Sequence, residues 1–224
     1  MRSYALALAQ LRREPHVDSH RVYLIGHSIG TLIAPRIARG QNIAGIILAE
    51  GVGRNWIEYE LANLRRQLEL EGNAPDKIDT LMRAKELCMH RLLIDKAEES
   101  EIEKAEPACK DMNAYPAPAA YLQQAAAFNV AEPWMTLSVP VLAIYGSGDF
   151  ITTQADHQRI VDIVNAKKPG TAALQLIEGM DHHLDAAGTP QQAYDLRVKR
   201  HGAAPYQAAF SEAILNWLCM REQC

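Results

Sequence analysis

Four short apolar runs limit what this chain can fold into: Val22 to Gly26, Ile43 to Glu50, Val141 to Gly146 and Ala173 to Glu178. Each is nearly continuous in aliphatic or β-branched residues rather than alternating, the pattern of strands in a parallel sheet covered on both faces. Helical periodicity fills the spaces around them, over Leu6 to Arg13, Ser28 to Arg39, Thr153 to Lys167 and Pro205 to Met220. Strand alternating with helix predicts an α/β fold with a mainly parallel sheet. One connection is far longer than the rest. Between the second and third runs, Arg54 to Met135 repeats apolar residues at helical spacing, first Ile57, Leu61, Leu64 and Leu68, then Ile78, Leu81, Met82, Cys88 and Leu92. The expected organisation is a core built from residues 1–53 and 136–224, interrupted by a helical insertion at 54–135. Within the insertion, AEESEIEKAE at Ala97 to Glu106 reads as a solvated helix face, and NAYPAPAAY, residues 113–121, as a turn between helices.

At 224 residues the chain can bury a sizeable core, and its 48% hydrophobic and 22% charged residues are ordinary for a soluble globular protein. A net charge of -4 gives no electrostatic reason to expect nucleic acid as a partner. Cys88, Cys109, Cys219 and Cys224 are scattered, a spacing that fits neither a zinc site nor a dense disulfide framework and leans toward a reducing compartment. No run reaches the roughly 18 apolar residues of a membrane span. Location is otherwise unmarked, with the cytoplasm as default and export open if the natural chain starts upstream.

The first apolar run ends in Gly26-His27-Ser28-Ile29-Gly30 and passes at once into a helical pattern. A G-x-S-x-G motif between a strand and a helix sets its serine in a sharp turn, with the oxygen projecting from the carboxyl edge of the sheet. Glycines two positions to either side would remove side chains that clash in so tight a turn. The Ile29 N–H, at the start of the helix, would point at an oxyanion formed when Ser28 attacks a carbonyl. A serine hydroxyl is a weak nucleophile near neutrality and needs a histidine base, itself oriented by a carboxylate. Both follow in chain order: Asp149 just beyond the third run, and Asp181, His182 and His183 just beyond the fourth. All of these lie at the carboxyl edge of one parallel sheet, where open α/β sheets bind ligands.

On these residues the chain resembles a serine hydrolase of the α/β-hydrolase fold. GHSIG matches the nucleophile elbow, VPVLAIYGSGDFIT the acid strand, and EGMDHH the Gly-x-x-His turn that carries the base. That spacing assigns the base to His182, three after Gly179, rather than His183. The stretch GVGRNWIEYELANLRRQ is similar to bacterial hydrolases of the dienelactone-hydrolase or S9-peptidase-like kind, some of which carry an upstream PDZ-type domain. The resemblance implies a carboxylesterase-type enzyme with a small-molecule ester substrate, the insertion at 54–135 as its cap, and a catalytic set of Ser28, Asp149 and His182 with Ile29 at the oxyanion hole. It implies no cofactor and no metal. Thioesterase, peptidase and acyltransferase chemistry can use the same set.

Other residues carry competing readings. His27 reads as a packed neighbour of the elbow, Glu50 as a pocket-lining group or a solvated loop carboxylate, and Trp56 as a pocket wall or a packing anchor; all three are candidate substrate-binding residues. Asp149 could instead cap the helix starting near Thr152. Asp181, His182 and Asp185 could form a metal cluster. The family also places several strands ahead of the elbow, including the loop that gives a second oxyanion donor, and these have no counterpart before Val22. A shortened sheet would leave the first strand with an exposed edge that invites homo-oligomerisation. It would also admit a second reading, a non-catalytic piece of a longer hydrolase acting as an interaction module.

Overall fold

The computed structural model describes residues 2–110 and 117–222; residues 113–116 of the expected turn at 113–121, and Cys224, lie outside them. In chain order the elements are α1 (Arg2–Leu11), β1 (Tyr23–His27), α2 (Gly30–Ala38), β2 (Gly45–Ala49), α3 (Trp56–Leu70), α4 (Pro75–Met89) and α5 (Glu99–Ala105). Then come α6 (Ala119–Ala126), α7 (Ala131–Thr136), β3 (Val141–Gly146), α8 (Gln154–Lys167), β4 (Ala172–Ile177), α9 (Pro190–Tyr194) and α10 (Ala208–Glu222). The chain divides into two compact units, one of residues 1–53 and 130–224 and one of Arg54–Asn129.

The first unit is a parallel sheet in the order β1-β2-β3-β4, with helices on both faces. Each strand pairs with its neighbour in sequence: Tyr23 opposite Gly45, Ile46 opposite Val141, and Val141 opposite Ala172. On one face Ile47, Ala49, Leu142, Ile144 and Ile177 pack with Phe210, Ala213 and Trp217 of α10. Toward the other face, α2 packs on β1 and α8 on β3, and α8 buries Ile160, Val161 and Val164. Burying each such side chain contributes about 1.5–3 kcal/mol. Full cover applies only to β2 and β3, which are buried along almost their whole length. β1 and β4 are the sheet edges and expose Ile25 and Leu176. The expectation of four covered strands is therefore corrected for the outer pair, because four strands leave two edges whatever their composition. β3 has the bounds expected, the ends of β1, β2 and β4 shift by one or two residues, and α1 starts earlier, at Arg2 rather than Leu6.

The second unit is helical. Asn55 caps α3 by accepting the Glu58 N–H, Pro75 opens α4 in the first turn where its missing N–H costs nothing, and Lys85 pairs with Glu60 between the two helices. α4 runs into a π-helical turn, His90–Ile94, whose Leu92 carbonyl accepts from Gln123. Ile102 is the buried residue of α5, the rest of which is largely the solvated acidic face expected. The unit ends at Asn129, earlier than the 135 expected, because α7 packs against α8 and α2 and so belongs to the sheet unit.

Cys88 and Cys109 form a disulfide with Cα atoms 5.5 Å apart, and both are buried. This corrects the reading of the cysteines as a set that leans toward a reducing compartment, since disulfides persist where the surroundings are oxidising. Their 21-residue separation carried no recognisable framework spacing, and only the packing of α4 beside the Pro107–Cys109 turn brings them together. Among the described residues, no helix is long and apolar enough to cross a membrane.

Candidate active site

β1 delivers its last residue, His27, to the carboxyl edge of the sheet, and Ser28 follows in the left-handed region with φ 53°. A non-glycine residue there stores strain and persists only when its surroundings fix it. The Ser28 N–H donates to the Ala49 carbonyl at 2.9 Å, and its carbonyl accepts from the Thr31 hydroxyl at 2.8 Å. The Ile29 N–H, one residue ahead of α2, has no hydrogen-bond partner among the described residues, so an amide at a helix N-terminus is available to an anion. The two flanking glycines turn out unequal. A Cβ on Gly26 would lie 2.7 Å from the Gly30 carbonyl oxygen, whereas a Cβ on Gly30 would meet nothing within 4 Å. Only Gly26 is sterically required, which corrects the expectation that both are. Gly26→Ala is expected to cost about 1–3 kcal/mol as the backbone gives way, and Gly30→Ala to fall within about 0.5 kcal/mol of the parent. Denaturant unfolding of both variants checks the pair, and equal losses would contradict this account of the turn.

Asp149 sits in the turn after β3. Asp149 Oδ1 accepts from the Ile151 and Thr152 N–H groups at 2.6 and 3.1 Å, and Oδ2 accepts from the Thr152 hydroxyl and from His182 Nδ1 at 3.0 Å. The alternative role as helix cap falls to Thr153, whose hydroxyl accepts from the Asp156 N–H. Gly146 and Gly148 let the turn approach the strand-end loop opposite, since a Cβ on either would run into the Met180 or Gly188 carbonyl. Asp149 is 2% exposed. Burial works against its charge, but the facing His182, its hydrogen bond, and the bond from Thr152 overcome that and hold the carboxyl below the usual range.

His182 lies in the turn after β4, and its Nε2 is 3.0 Å from Ser28 Oγ. Because the ionised Asp149 can only accept, Nδ1 carries the proton and Nε2 is left to accept from the serine hydroxyl. The turn is fixed from several sides. Arg197 pairs with both Asp181 and Asp185, Asp181 Oδ1 accepts from the His183 and Asp185 N–H groups, and His27 Nε2–H donates to the His182 carbonyl at 2.8 Å. His27 thus holds the His182 backbone. Partial burial lowers the basicity of His183, whose ring stands edge-on to His182 and, among the described residues, makes no hydrogen bond to Ser28 or Asp149.

Glu50 is fully buried, which removes the reading as a solvated carboxylate. It follows β2 with φ 47°, and its Oε1 accepts from the Gly146 N–H at 2.8 Å. Burial, then the charge of the neighbouring Asp149, raise its carboxyl well above the ordinary value of 4.5. The folded protein therefore keeps a proton that the unfolded chain releases above that pH. Since the native state binds the extra proton, Glu50 costs stability increasingly as pH rises from about 4.5 toward its native value. Glu50→Gln cannot ionise, so its Tm relative to the parent should climb between about pH 4 and pH 8. Paired melting curves test this, and a constant difference across that range would contradict it.

Sequence reasoning missed His157 and Thr31. His157 Nε2 accepts from the Gly51 N–H at 2.8 Å and its Nδ1–H donates to the Thr153 carbonyl, which burial supports by keeping the imidazole neutral. The Thr31 hydroxyl accepts from the Val52 N–H at 2.9 Å while donating to Ser28. The signal for His157 was its position on the apolar stripe of α8, with Ile160, Val161 and Val164. Trp56 opens α3 in the second unit, where its ring packs at 5.1 Å from that of Tyr59.

A metal set of Asp181, His182 and Asp185 does not fit these bonds, because both carboxylates are paired with Arg197. Glu50, Asp149 and His182 do present ligand atoms within 4.8 Å of one another. Both His182 nitrogens are nevertheless taken, by Ser28 and Asp149, so these residues are arranged as a hydrogen-bonded relay rather than a chelate.

Residues 2–195 match the model of the alpha/beta hydrolase family. The chain is 26% identical to Esterase EstD of Thermotoga maritima over 141 residues, which is 63% of this chain and 30% of that protein. Among solved structures it is similar to the Pyrococcus furiosus esterase Pf2001, with a TM-score of 0.50 and 12% identity, covering 98% of this chain and 60% of that one. It thus spans less than two thirds of the length of either relative. The family match extends over Ser28, Asp149 and His182 alike, and the chain belongs to the alpha/beta hydrolase family.

Proposed function

We propose that the protein is a serine hydrolase acting on carboxylic esters, with Ser28 as nucleophile, His182 as general base and acid, Asp149 as the orienting acid and the Ile29 N–H as an oxyanion donor. The observation that carries this reading is the continuous relay from Ser28 Oγ through His182 to Asp149, with 3.0 Å at each contact. Ser28 Oγ attacks the ester carbonyl as His182 Nε2 takes its proton. The tetrahedral oxyanion forms beside the Ile29 amide, and its collapse expels the alcohol, which receives the proton from His182. An acyl-serine remains. Water then attacks it with His182 again as base, releasing the acid and restoring Ser28.

The charge on Asp149 is what stabilises the imidazolium in both steps, and the bonds that hold it ionised serve that purpose. Each oxyanion donor is worth about 10²–10³ in turnover, which is the scale of the contribution expected of the Ile29 amide. In the same reading, the unit at Arg54–Asn129 is the cap of the family, and Trp56 is one of its candidate substrate contacts. The similarity of the chain to an esterase supports esters ahead of amides or thioesters as substrate. Hydrolysis of p-nitrophenyl acetate and butyrate by the purified chain, with and without a chelator, tests the reading. Turnover indifferent to the chelator is expected. Turnover that disappears with the chelator and returns with metal would favour a metal-dependent hydrolase, and none under any condition would favour the non-catalytic module.

A further inference from the structure

We propose that Glu50 is a positioning residue for this relay: uncharged, it donates the proton on its second oxygen to the Asp149 carboxylate and holds that carboxylate against His182. The inference rests on the reading of Ser28, His182 and Asp149 as a catalytic set. Glu50 has no exposed surface, its Oε1 is occupied by the Gly146 N–H, and its Oε2 is buried with no hydrogen-bond partner among the described residues. An orphaned buried oxygen is costly, and beside an ionised carboxylate a second negative oxygen would be worse still. One proton on Oε2 removes both problems, because it turns a repelled acceptor into a donor. Ligand atoms of Glu50, Asp149 and His182 lie within 4.8 Å of one another, which makes the Asp149 carboxylate a direct neighbour of Glu50.

The backbone around Glu50 is built to hold it there. Its left-handed conformation is fixed by bonds on either side, Glu50 N–H to the Ile144 carbonyl, Gly51 N–H to His157 and Val52 N–H to Thr31. Gly51 has no room for a side chain, since its Cβ would lie 2.6 Å from Thr31 Cγ2. Strain of this kind in a residue that touches no solvent needs a reason. The charged or titratable groups acting on Glu50 are Asp149 from the turn after β3, and His182 and Asp181 from the turn after β4; His157 reaches it from α8 through Gly51, and Arg197 holds Asp181. The two carboxylates disfavour a third charge. Donation to Asp149 then fixes the acid's orientation, while leaving it negative enough to stabilise the imidazolium.

Glu50→Ala and Glu50→Gln separate this role from simple packing. Glu50→Ala is expected to lower kcat by about tenfold, the size of one hydrogen bond to a charged group, with KM nearly kept. Glu50→Gln retains an acceptor for Gly146 and a donor for Asp149, so it should recover most of that loss and keep the parent's acidic limb in the pH profile of kcat/KM. If Glu50 were instead ionised, Glu50→Gln would remove a negative charge and move that limb to lower pH by at least about one unit. That result overturns the proposal, as does a Glu50→Ala enzyme with the parent's kcat. Should Glu50→Ala fail to fold, the limb in Glu50→Gln still decides. A readout without catalysis comes from carboxyl ¹³C NMR, with the Glu50 signal identified by its loss in Glu50→Gln. It should stay in the protonated position through neutral pH, and a signal that titrates with the exposed glutamates overturns the proposal. Ser28→Ala measured alongside reads the catalytic set separately, since activity surviving there would contradict that set while the carboxyl spectrum still reports on Glu50.

Discussion

Ser28→Ala is expected to lower kcat for ester hydrolysis by at least about 10⁴-fold, the scale seen when a triad nucleophile is removed. The variant should keep its fold, because the Ser28 bonds that fix the turn are made by its backbone N–H and carbonyl, and alanine retains both. Strain at φ 53° is present with either residue, so the Tm should move little. KM should change by a small factor, since the hydroxyl contributes to the reacting bond rather than to holding the acyl group. The comparison is made with p-nitrophenyl butyrate under saturating conditions, using protein freshly purified through the same columns. A variant that keeps more than about a tenth of the parent rate would mean the reaction is not run by Ser28.

Asp149→Asn carries the second large effect, a fall in kcat of about 10⁴-fold near neutral pH. The direction comes from the bonds around the carboxylate. Oδ1 sits on the Ile151 and Thr152 N–H groups, which demand an acceptor, so an asparagine is forced to place its carbonyl there. Its NH₂ then faces His182 Nδ1, which must become the acceptor. The imidazole is driven into the tautomer with the proton on Nε2, and that nitrogen can no longer take the proton of Ser28. Stability should fall by much less than activity, because the asparagine is isosteric and keeps the bonds to the two amides. Circular dichroism beside kcat distinguishes the two. Comparable rates in Asp149→Asn and the parent would show that this carboxylate does not orient the base.

The strand runs, the elbow and the order of Ser28, Asp149 and His182 were legible in the sequence because they are local. Each depends on a short apolar run followed by a turn, and both properties are written in consecutive residues. The choice of His182 over His183 came from its distance to Gly179, and in the structure it is His182 whose ring nitrogens meet Ser28 and Asp149. What was not legible depends on residues far apart in the chain. Glu50 looks like any carboxylate after a strand until Gly146, nearly a hundred positions on, closes over it. Cys88 and Cys109 meet only through the packing of the helical unit, and the edge positions of β1 and β4 depend on strand order rather than on their own composition. Gly30 shows the converse error, since its motif position suggested a steric need that the local geometry does not impose.

The central claim is that Ser28 forms the acyl-enzyme. The most direct measurement is incubation of the purified chain with a fluorophosphonate, followed by intact mass and peptide mapping. One adduct per chain is expected, carried by the peptide that contains Ser28, slowed sharply in His182→Ala and absent in Ser28→Ala. An adduct on another residue, or no adduct in protein that hydrolyses esters, would contradict the account.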